Sequence, residues 1–191
     1  MSLLRKSRSA LVFAGFGLAT AGAAWFGSHY SPAKGRSREW YRELDKPIFT
    51  PPDAVFPIVW TSLYAMMAWS GWRVWSAPPS MNRSLALRLW FTQLSTNAKW
   101  SKQFFGKQRP DLALTDLLML EAFVLGYIAA ARNVDRAASQ AFVPYAVWVA
   151  FAGLLNAEIV RRNPGFAEAA MKAVAVFDRC LKPPATRSVV K

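Results

Sequence analysis

Five stretches of this 191-residue chain have the length of a helix that crosses a bilayer, and four of them contain at most two charged residues. They are residues 10–27, 55–75, 85–105, 112–131 and 137–160. The hydrocarbon core of a membrane is spanned by about 20 residues of α-helix. The pattern therefore predicts an all-α, multi-pass membrane protein, a bundle of five transmembrane helices in contact with lipid.

The third stretch, residues 85–105, is the least apolar of the five. It contains Arg88, Gln93, Asn97, Lys99 and Lys102. Polar groups in hydrocarbon need partners inside the protein. We therefore expect neighbouring helices to shield this segment from lipid.

Charge and residue types limit the function classes. The chain has 24 Lys and Arg against 11 Asp and Glu, but the basic residues flank apolar segments and do not line one helix face, which argues against nucleic-acid binding. Their bias toward the first loop, the third loop and the tail predicts an N-terminus outside and a C-terminus in the cytoplasm. The single cysteine, Cys180, and the single histidine, His29, predict no disulfide, no cysteine-based metal site and no haem ligation.

The first apolar stretch has two interpretations. Its basic start and the small residues near Ala21 and Ala23 also suit a cleaved signal peptide. Against this, the apolar run continues through Trp25 and Phe26. Small residues recur along one side of the helix, which favours close packing of another helix: Gly15, Ala19, Ala23 and Gly27.

Helical spacing collects polar and aromatic side chains into faces on three of the segments. The faces are Trp60, Tyr64, Met67 and Gly71; Gln93, Asn97, Trp100 and Phe104; and Tyr145, Trp148, Ala152 and Asn156. Such faces predict a cavity with aromatic walls and a few hydrogen-bonding groups, suited to a flat apolar ligand. Packing or an interfacial aromatic belt explains the same stripes. Asp116 and Glu121 are five residues apart, so they face different directions and are not a paired acid–base site.

Five motifs follow one another at fixed spacing. They are W-Y-x-x-L-x-K-P-x-F-x-P-P (40–52), V-W-T-x-L-Y (59–64), Q-L-x-x-N-x-x-W-x-x-x-F-F-G (93–106), D-L-L (116–118) and P-Y-x-x-W-x-x-F-x-x-x-L-N (144–156). Together they resemble the tryptophan-rich sensory protein and translocator protein family, also called peripheral-type benzodiazepine receptors. The resemblance covers about residues 10–163.

The resemblance implies a five-helix bundle with an internal pocket and, often, a homodimer. It implies porphyrin, sterol or synthetic drug-like ligands, with a protoporphyrin-type ligand in place of a resident cofactor. The pocket residues carried over are Trp60, Tyr64, Asn97, Trp100, Trp148 and Ala152. Trp60 and Trp148 match tryptophans linked to light-dependent porphyrin breakdown, so they are the candidate catalytic residues.

The resemblance also makes the first loop, residues 28–54, a lid over the pocket. Prolines fix φ and remove backbone donors, so they stiffen this loop and hold its aromatic residues as an apolar cover. The lid residues are Trp40, Tyr41, Pro47, Phe49, Pro51 and Pro52.

The chain departs from the family pattern at several positions. Ser101 and Lys102 replace a Pro-Pro, Lys99 replaces a small residue, and Ala54 replaces a tryptophan. Ala157 follows Leu-Asn where the sterol consensus needs a tyrosine, which puts sterol binding in doubt. Residues 164–191 extend beyond the membrane domain of residues 1–163, and their apolar side predicts a short interfacial helix.

Three functions remain open from the sequence. The chain is a tetrapyrrole-binding sensor or transporter, an enzyme that degrades porphyrin with light and oxygen, or a membrane interaction scaffold. The bacterial cell membrane is the expected location.

The sequence also makes a topological prediction. Because the basic residues are distributed unevenly, reporter fusions should place the N-terminus outside and the C-terminus in the cytoplasm, with five spans between them. Fusions that report both termini on one side of the membrane would contradict an odd number of spans.

Overall fold

The computed structural model describes residues 2–31 and 36–166, and the regular secondary structure of this part of the chain is all helical, without β-strands. The helices are α1 (Ser2–Ser28), α2 (Arg36–Glu43), α3 (Val55–Ser76), α4 (Met81–Ser101), α5 (Pro110–Arg132), α6 (Arg136–Ala141) and α7 (Val143–Arg162). A π-helical turn, Lys102–Gly106, continues α4.

Helices form at all five predicted stretches. The fifth stretch is broken, because α6 ends at Ala141 and α7 starts at Val143, with Pro144 in its first turn. Proline is tolerated there, since the first N–H groups of a helix have no partner inside it. Three segments are long and apolar enough to cross a membrane by length and composition alone: Ser7–Ser28, Pro110–Arg132 and Arg136–Arg162.

The first loop, residues 28–54, contains a short helix that was not predicted from the sequence. Helix α2 occupies Arg36–Glu43, between Pro32 and Pro47 in the sequence. None of its eight residues is proline or glycine, so nothing in the segment prevents helix formation. The prolines on either side of α2 limit how far the helix can extend, and none lies within it.

The predicted small-residue side of α1 packs within the chain over most of its length. A Cβ atom on Gly27 would lie 3.2 Å from the Ser101 Oγ, so α1 and α4 approach closely at this level. Ala19 and Ala23 pack against the main apolar core. Gly15 has open space around it.

The tightest packing in the core lies where α1, α3 and α4 meet. The Phe16 ring packs edge-on against the Trp90 ring, with centroids 4.7 Å apart, and both rings lie over Gly71. The Trp90 Nε1 donates to the Met67 carbonyl at 2.9 Å. Because Gly71 has no Cβ, the two aromatic rings can touch the α3 backbone.

Polar groups in the same part of α3 join it to α5 and α6. The Ser70 Oγ is 2.6 Å from the Tyr127 Oη and donates to the Ala138 carbonyl. Asp135 accepts from the Ala138 N–H as the N-cap of α6, and it pairs with Arg73 at 2.6 Å. Burial alone would raise the pKa of Asp135, but that N–H and Arg73 together hold it below its ordinary value. This cap therefore stabilises α6 above the carboxyl's unfolded pKa, and acid weakens it.

Neighbouring helices cover only part of the polar side of α4. Gln93 and Asn97 are buried, as expected, but Arg88 is exposed and the Lys99 side chain is 57% exposed. The Lys99 Nζ nevertheless lies 2.8 Å from the Asp116 Oδ1 of α5. The predicted interfacial helix falls outside the described residues except for residues 164–166.

Two glycines allow a matched test of the core. Gly71→Ala places a Cβ atom 2.6 Å from Phe16 and 2.8 Å from Trp90, and we expect it to lower the free energy of unfolding by about 1–3 kcal/mol. In Gly126→Ala the nearest atom is 3.5 Å away, so we expect that change to be neutral or stabilising. Thermal unfolding in detergent measures both. Equal stabilities for the two variants would contradict the packing described here.

Candidate functional site

An amide in the interior of the bundle joins three helices. The Tyr64 Oη of α3 donates to the Asn97 Oδ1 of α4 at 2.7 Å, and the Asn97 Nδ2 donates to the Tyr145 Oη of α7 at 3.1 Å. Asn97 is 5% exposed and Tyr145 1%. We call these three residues the Asn97 bridge. Each hydrogen bond of such a buried group contributes about 1 kcal/mol net, and an unpaired partner would cost more.

Aromatic rings enclose the Asn97 bridge on its α3 side. The Trp60 centroid lies 5.6 Å from that of Tyr64 and 6.2 Å from that of Tyr145. These are contact separations for aromatic side chains. The three rings form one continuous aromatic wall, in which Trp60 is half-buried.

Trp148 and Ala152 lie one helical turn apart on α7, and both pack against the edge of the core. Trp148 contacts Phe56 and Phe151, with ring centroids 5.9 and 5.5 Å away. It also lines an apolar groove of about 440 Å³ between α3 and α7. The other lining residues are Ile58, Val59, Ser62, Leu63, Met66, Pro144, Val147 and Phe151.

Trp100 lies where α4 becomes a π-helical turn. Its ring stacks on Phe104 at 5.2 Å and meets Phe105 edge-on at 5.9 Å. Its buried Nε1 has no hydrogen-bond partner in the described part of the chain. A π-turn adds one residue to the helical repeat and often occurs at a functional site. Gln108, with a φ of 54°, lies in the connection between this π-helical turn and α5.

The first loop is attached to the ends of α4 and α7. The Trp40 and Tyr41 rings contact Phe104 and Phe105 at 5.6 Å. Burial raises the pKa of the Tyr41 phenol, and the Asp53 carboxylate adds to this effect. The Lys46 Nζ donates to the Tyr41 carbonyl at 2.6 Å and lies over the same ring.

A reciprocal pair of hydrogen bonds joins the first loop to α7. The Asn163 Nδ2 donates to the Asp45 carbonyl at 3.0 Å, and the Asp45 N–H donates to the Asn163 Oδ1 at 3.1 Å. Arg162 also lies 3.6 Å from the Asp45 carboxylate. We call Asp45 and Asn163 the loop latch. Beyond it, Pro47 is buried, while Phe49 is 49% exposed and contacts Phe151 at 6.4 Å.

The last two lid prolines precede α3 directly. Pro51 is half-buried and Pro52 is exposed, and the Pro52 carbonyl accepts from the Val55 N–H at the start of the helix. They therefore determine the direction in which the first loop enters the bundle.

The chain was compared with known proteins. The family model described as the TspO/MBR family matches residues 15–162. This chain belongs to the TspO/MBR family. It is 35% identical to Protein CrtK of Rhodobacter capsulatus over 160 residues, which covers 82% of this chain and 96% of that protein. It is 32% identical to the Translocator protein of Homo sapiens over 154 residues, covering 80% and 90% of the two chains.

A third TspO/MBR relative is the Tryptophan-rich sensory protein of Cereibacter sphaeroides. It is 38% identical over 125 residues, which covers 65% of this chain and 77% of the relative. These matches confirm the resemblance drawn from the five motifs. They show a membrane protein of a sensor and translocator family, whose bacterial members include this relative and Protein CrtK.

The structure brings some of the predicted pocket residues of this TspO/MBR chain together and separates others. Trp60, Tyr64 and Asn97 are joined by contacts or hydrogen bonds. Trp148 and Trp100 lie in adjoining aromatic groups, and within residues 36–166 no ring contact joins either of them to Trp60. The pocket residues carried over from the resemblance leave out Tyr145 and Gln93, although helical spacing placed both on the faces predicted to line the cavity.

Asp116 and Glu121 of α5 have separate environments, as their spacing predicts. Asp116 pairs with Lys99, and its second oxygen is buried without a partner in the described residues. Glu121 makes no ion pair in the described residues, and its Oε2 is buried there without a hydrogen-bond partner. They do not form a two-carboxylate site.

The loop latch generates a prediction with a matched control. Asn163→Ala removes two hydrogen bonds to the first loop, so we expect faster amide hydrogen exchange in residues 40–50 with the bundle unchanged. Asn133→Ala serves as the control, because Asn133 bonds to the carbonyl four residues earlier, as Asn163 also does, but has no loop contact. Loop exchange that stays the same in Asn163→Ala would show that the latch does not hold the loop.

Proposed function

We propose that this TspO/MBR protein is a five-span membrane protein that binds a porphyrin-type ligand inside the bundle, between α3, α4 and α7. The observation that supports this most is the Asn97 bridge, a hydrogen-bonding centre within an aromatic wall. A tetrapyrrole presents a large flat apolar face together with a few polar groups. Aromatic side chains with a few well-placed polar groups are what such a ligand requires.

Binding needs the aromatic wall to open. Trp60 is in ring contact with Tyr64 and Tyr145, so a further ring cannot lie between them in the arrangement described. Carbon atoms in contact are about 3.5–4.0 Å apart, so inserting one flat ring displaces α3 from α7 by about 3.5 Å. The groove along Trp148 supports this site of opening, because α3 and α7 are already apart there.

The hydrogen bonds of the bridge set the cost of opening. Tyr64 and Tyr145 lose their partner when Asn97 turns toward a ligand, and polar ligand atoms then take its place. Exchange of one set of hydrogen bonds for another costs little, whereas an unpaired buried group costs about 1–3 kcal/mol. An apolar ligand of the same shape is therefore disfavoured relative to one with polar groups.

The first loop acts as the lid in this proposal. Two sets of contacts in the middle of the loop hold it in place. They are the loop latch and the ring contacts of Trp40 and Tyr41. Phe49 lies beside Phe151. Pro47, Pro51 and Pro52 limit the conformations that the connecting backbone can adopt. The lid then covers the Trp148 end of the groove.

Sensing or transport is the leading role, and oxidative breakdown of the ligand is the alternative. The contact between Trp60 and two tyrosines favours the alternative specifically, since it places three oxidisable rings together beside the site. We also propose a bacterial cell membrane location, with the N-terminus outside, and a homodimer, as the resemblance implies.

Substitutions on opposite sides of α4 test the proposed site. Asn97→Ala and Trp60→Ala should each weaken protoporphyrin binding by about 1–3 kcal/mol, the scale of a lost buried hydrogen bond or aromatic contact. Lys99→Ala should change it much less, because Lys99 pairs with Asp116 outside the aromatic wall. Quenching of tryptophan fluorescence during titration in the dark measures all three. If Lys99→Ala abolished binding while Asn97→Ala bound normally, the proposed site would be on the wrong face of α4.

Repeating the titration under light separates the roles. Reversible quenching with recovered protoporphyrin supports sensing or transport. A new absorbing product that requires Trp60 or Trp148 supports breakdown. No binding by the unchanged protein in either condition would leave the scaffold role in place of both.

A further inference from the structure

Gln93 is fully buried and has no hydrogen-bond partner among residues 2–31 and 36–166. Its exposure is 0%, and neither the Oε1 nor the Nε2 is bonded to any group in the described part of the chain. A buried polar group without a partner costs about 1–3 kcal/mol, and here one amide leaves both a donor and an acceptor unpaired. Most other buried polar side chains of α3 and α4, among them Ser70 and Asn97, are bonded.

Gln93 lies directly behind the Asn97 bridge. It is four residues before Asn97 on α4, so it occupies the same side of the helix about 6 Å further from the first loop. Asn97 bonds to α3 and α7, and Gln93, which is also buried, lies one turn away on the same face of α4. A ligand group that displaces Tyr64 or Tyr145 from Asn97 therefore meets Gln93 next.

The chemistry of the unpaired amide defines its complement. A side-chain amide presents one acceptor and two donors in one plane. A neutral carboxyl group, or a cis amide such as a lactam, presents a donor and an acceptor at matching positions. The two groups then form a closed pair of hydrogen bonds. An ester has acceptors only, so it satisfies the Nε2 and leaves the Oε1 unpaired.

We propose that Gln93 is a specificity-determining residue that accepts the protonated carboxyl group of the ligand, or an equivalent lactam, at the inner end of the site. A charged carboxylate is costly in this apolar interior, so the acid enters in its neutral form. This inference rests on the proposed function, because it concerns the same site and the same ligand class. It adds that the ligand must carry a hydrogen-bond donor beside an acceptor.

Protoporphyrin IX and its dimethyl ester are the two ligands for the test. They share one porphyrin ring, but only the free acid can present a carboxyl O–H donor. At about pH 4.3, where roughly half of a propionate-type carboxyl is protonated, the unchanged protein should bind the free acid at least about tenfold more tightly than the ester. Gln93→Met should lose most of this preference, mainly through weaker binding of the acid. Ser95→Ala, on the exposed side of the same helix, should keep the preference. Comparing ratios cancels the different partition of the two compounds into detergent.

Unfolding without ligand gives a second readout. Because the Gln93 amide has no partner, Gln93→Met should melt at the same temperature as the unchanged protein or higher. A marked loss of stability would show that the amide is satisfied within the fold, and it would overturn the proposal. Gln93→Leu repeats the measurement with a different apolar shape.

The outcomes separate this inference from the proposed function. If the unchanged protein binds neither compound, the proposed function itself fails, and the inference fails with it. If it binds the acid and Gln93→Met keeps the same acid-to-ester ratio, the ligand does not reach Gln93. In that case only the inference is wrong.

Discussion

A side-chain amide buried among apolar helices costs free energy unless it finds hydrogen-bond partners inside the protein. Asn97 meets this requirement with one tyrosine from each of two other helices. The positions of α3, α4 and α7 follow from this constraint. Tyr64 and Tyr145 can reach the amide only if their helices present these faces to α4, and this arrangement brings Trp60 into ring contact with both.

The same constraint connects the interior to the first loop. Helix α7 carries Tyr145 at one end and leads into Asn163 at the other, where the loop latch holds Asp45. The π-helical turn after α4 similarly joins Asn97 to the Phe104 and Phe105 rings that hold Trp40 and Tyr41. A displacement of α7 or of the end of α4 therefore changes the contacts that hold the loop. This gives a TspO/MBR protein a physical route from an occupied site to a changed surface.

Much of the helical architecture could be predicted from the sequence. Apolar windows of helix length located the segments, and the spacing of Gln93, Asn97 and Trp100 placed them on one face of α4. Helical periodicity is enough for these, since it depends only on residue type and the 3.6-residue repeat. The motif spacing identified the family without any structure, and the family model agrees.

Other features depend on which helices become neighbours, and the sequence does not contain that information in a readable form. The Lys99–Asp116 pair joins two helices, and a helical wheel of α4 alone cannot show a carboxylate on α5. Helix α2 was not predicted, because the prolines of the first loop argue against a helix over the loop as a whole. Tyr145 and Gln93 were visible in the motifs, but their roles depend on hydrogen bonding that only the structure shows. The Tyr145 hydroxyl accepts from Asn97, whereas the Gln93 amide has no partner in the described residues.

The distance between α3 and α7 is the quantity that tests the proposed opening most directly. Spin labels at Thr61 and Val143, both exposed, report it by pulsed electron resonance once Cys180 is replaced by serine. The ring contact between Trp60 and Tyr145 places these two positions at similar depths. If the aromatic wall opens to admit a flat ring, saturating protoporphyrin should increase the mean separation by about 3 Å. A distance distribution that does not change while protoporphyrin is fully bound would contradict a site between these helices.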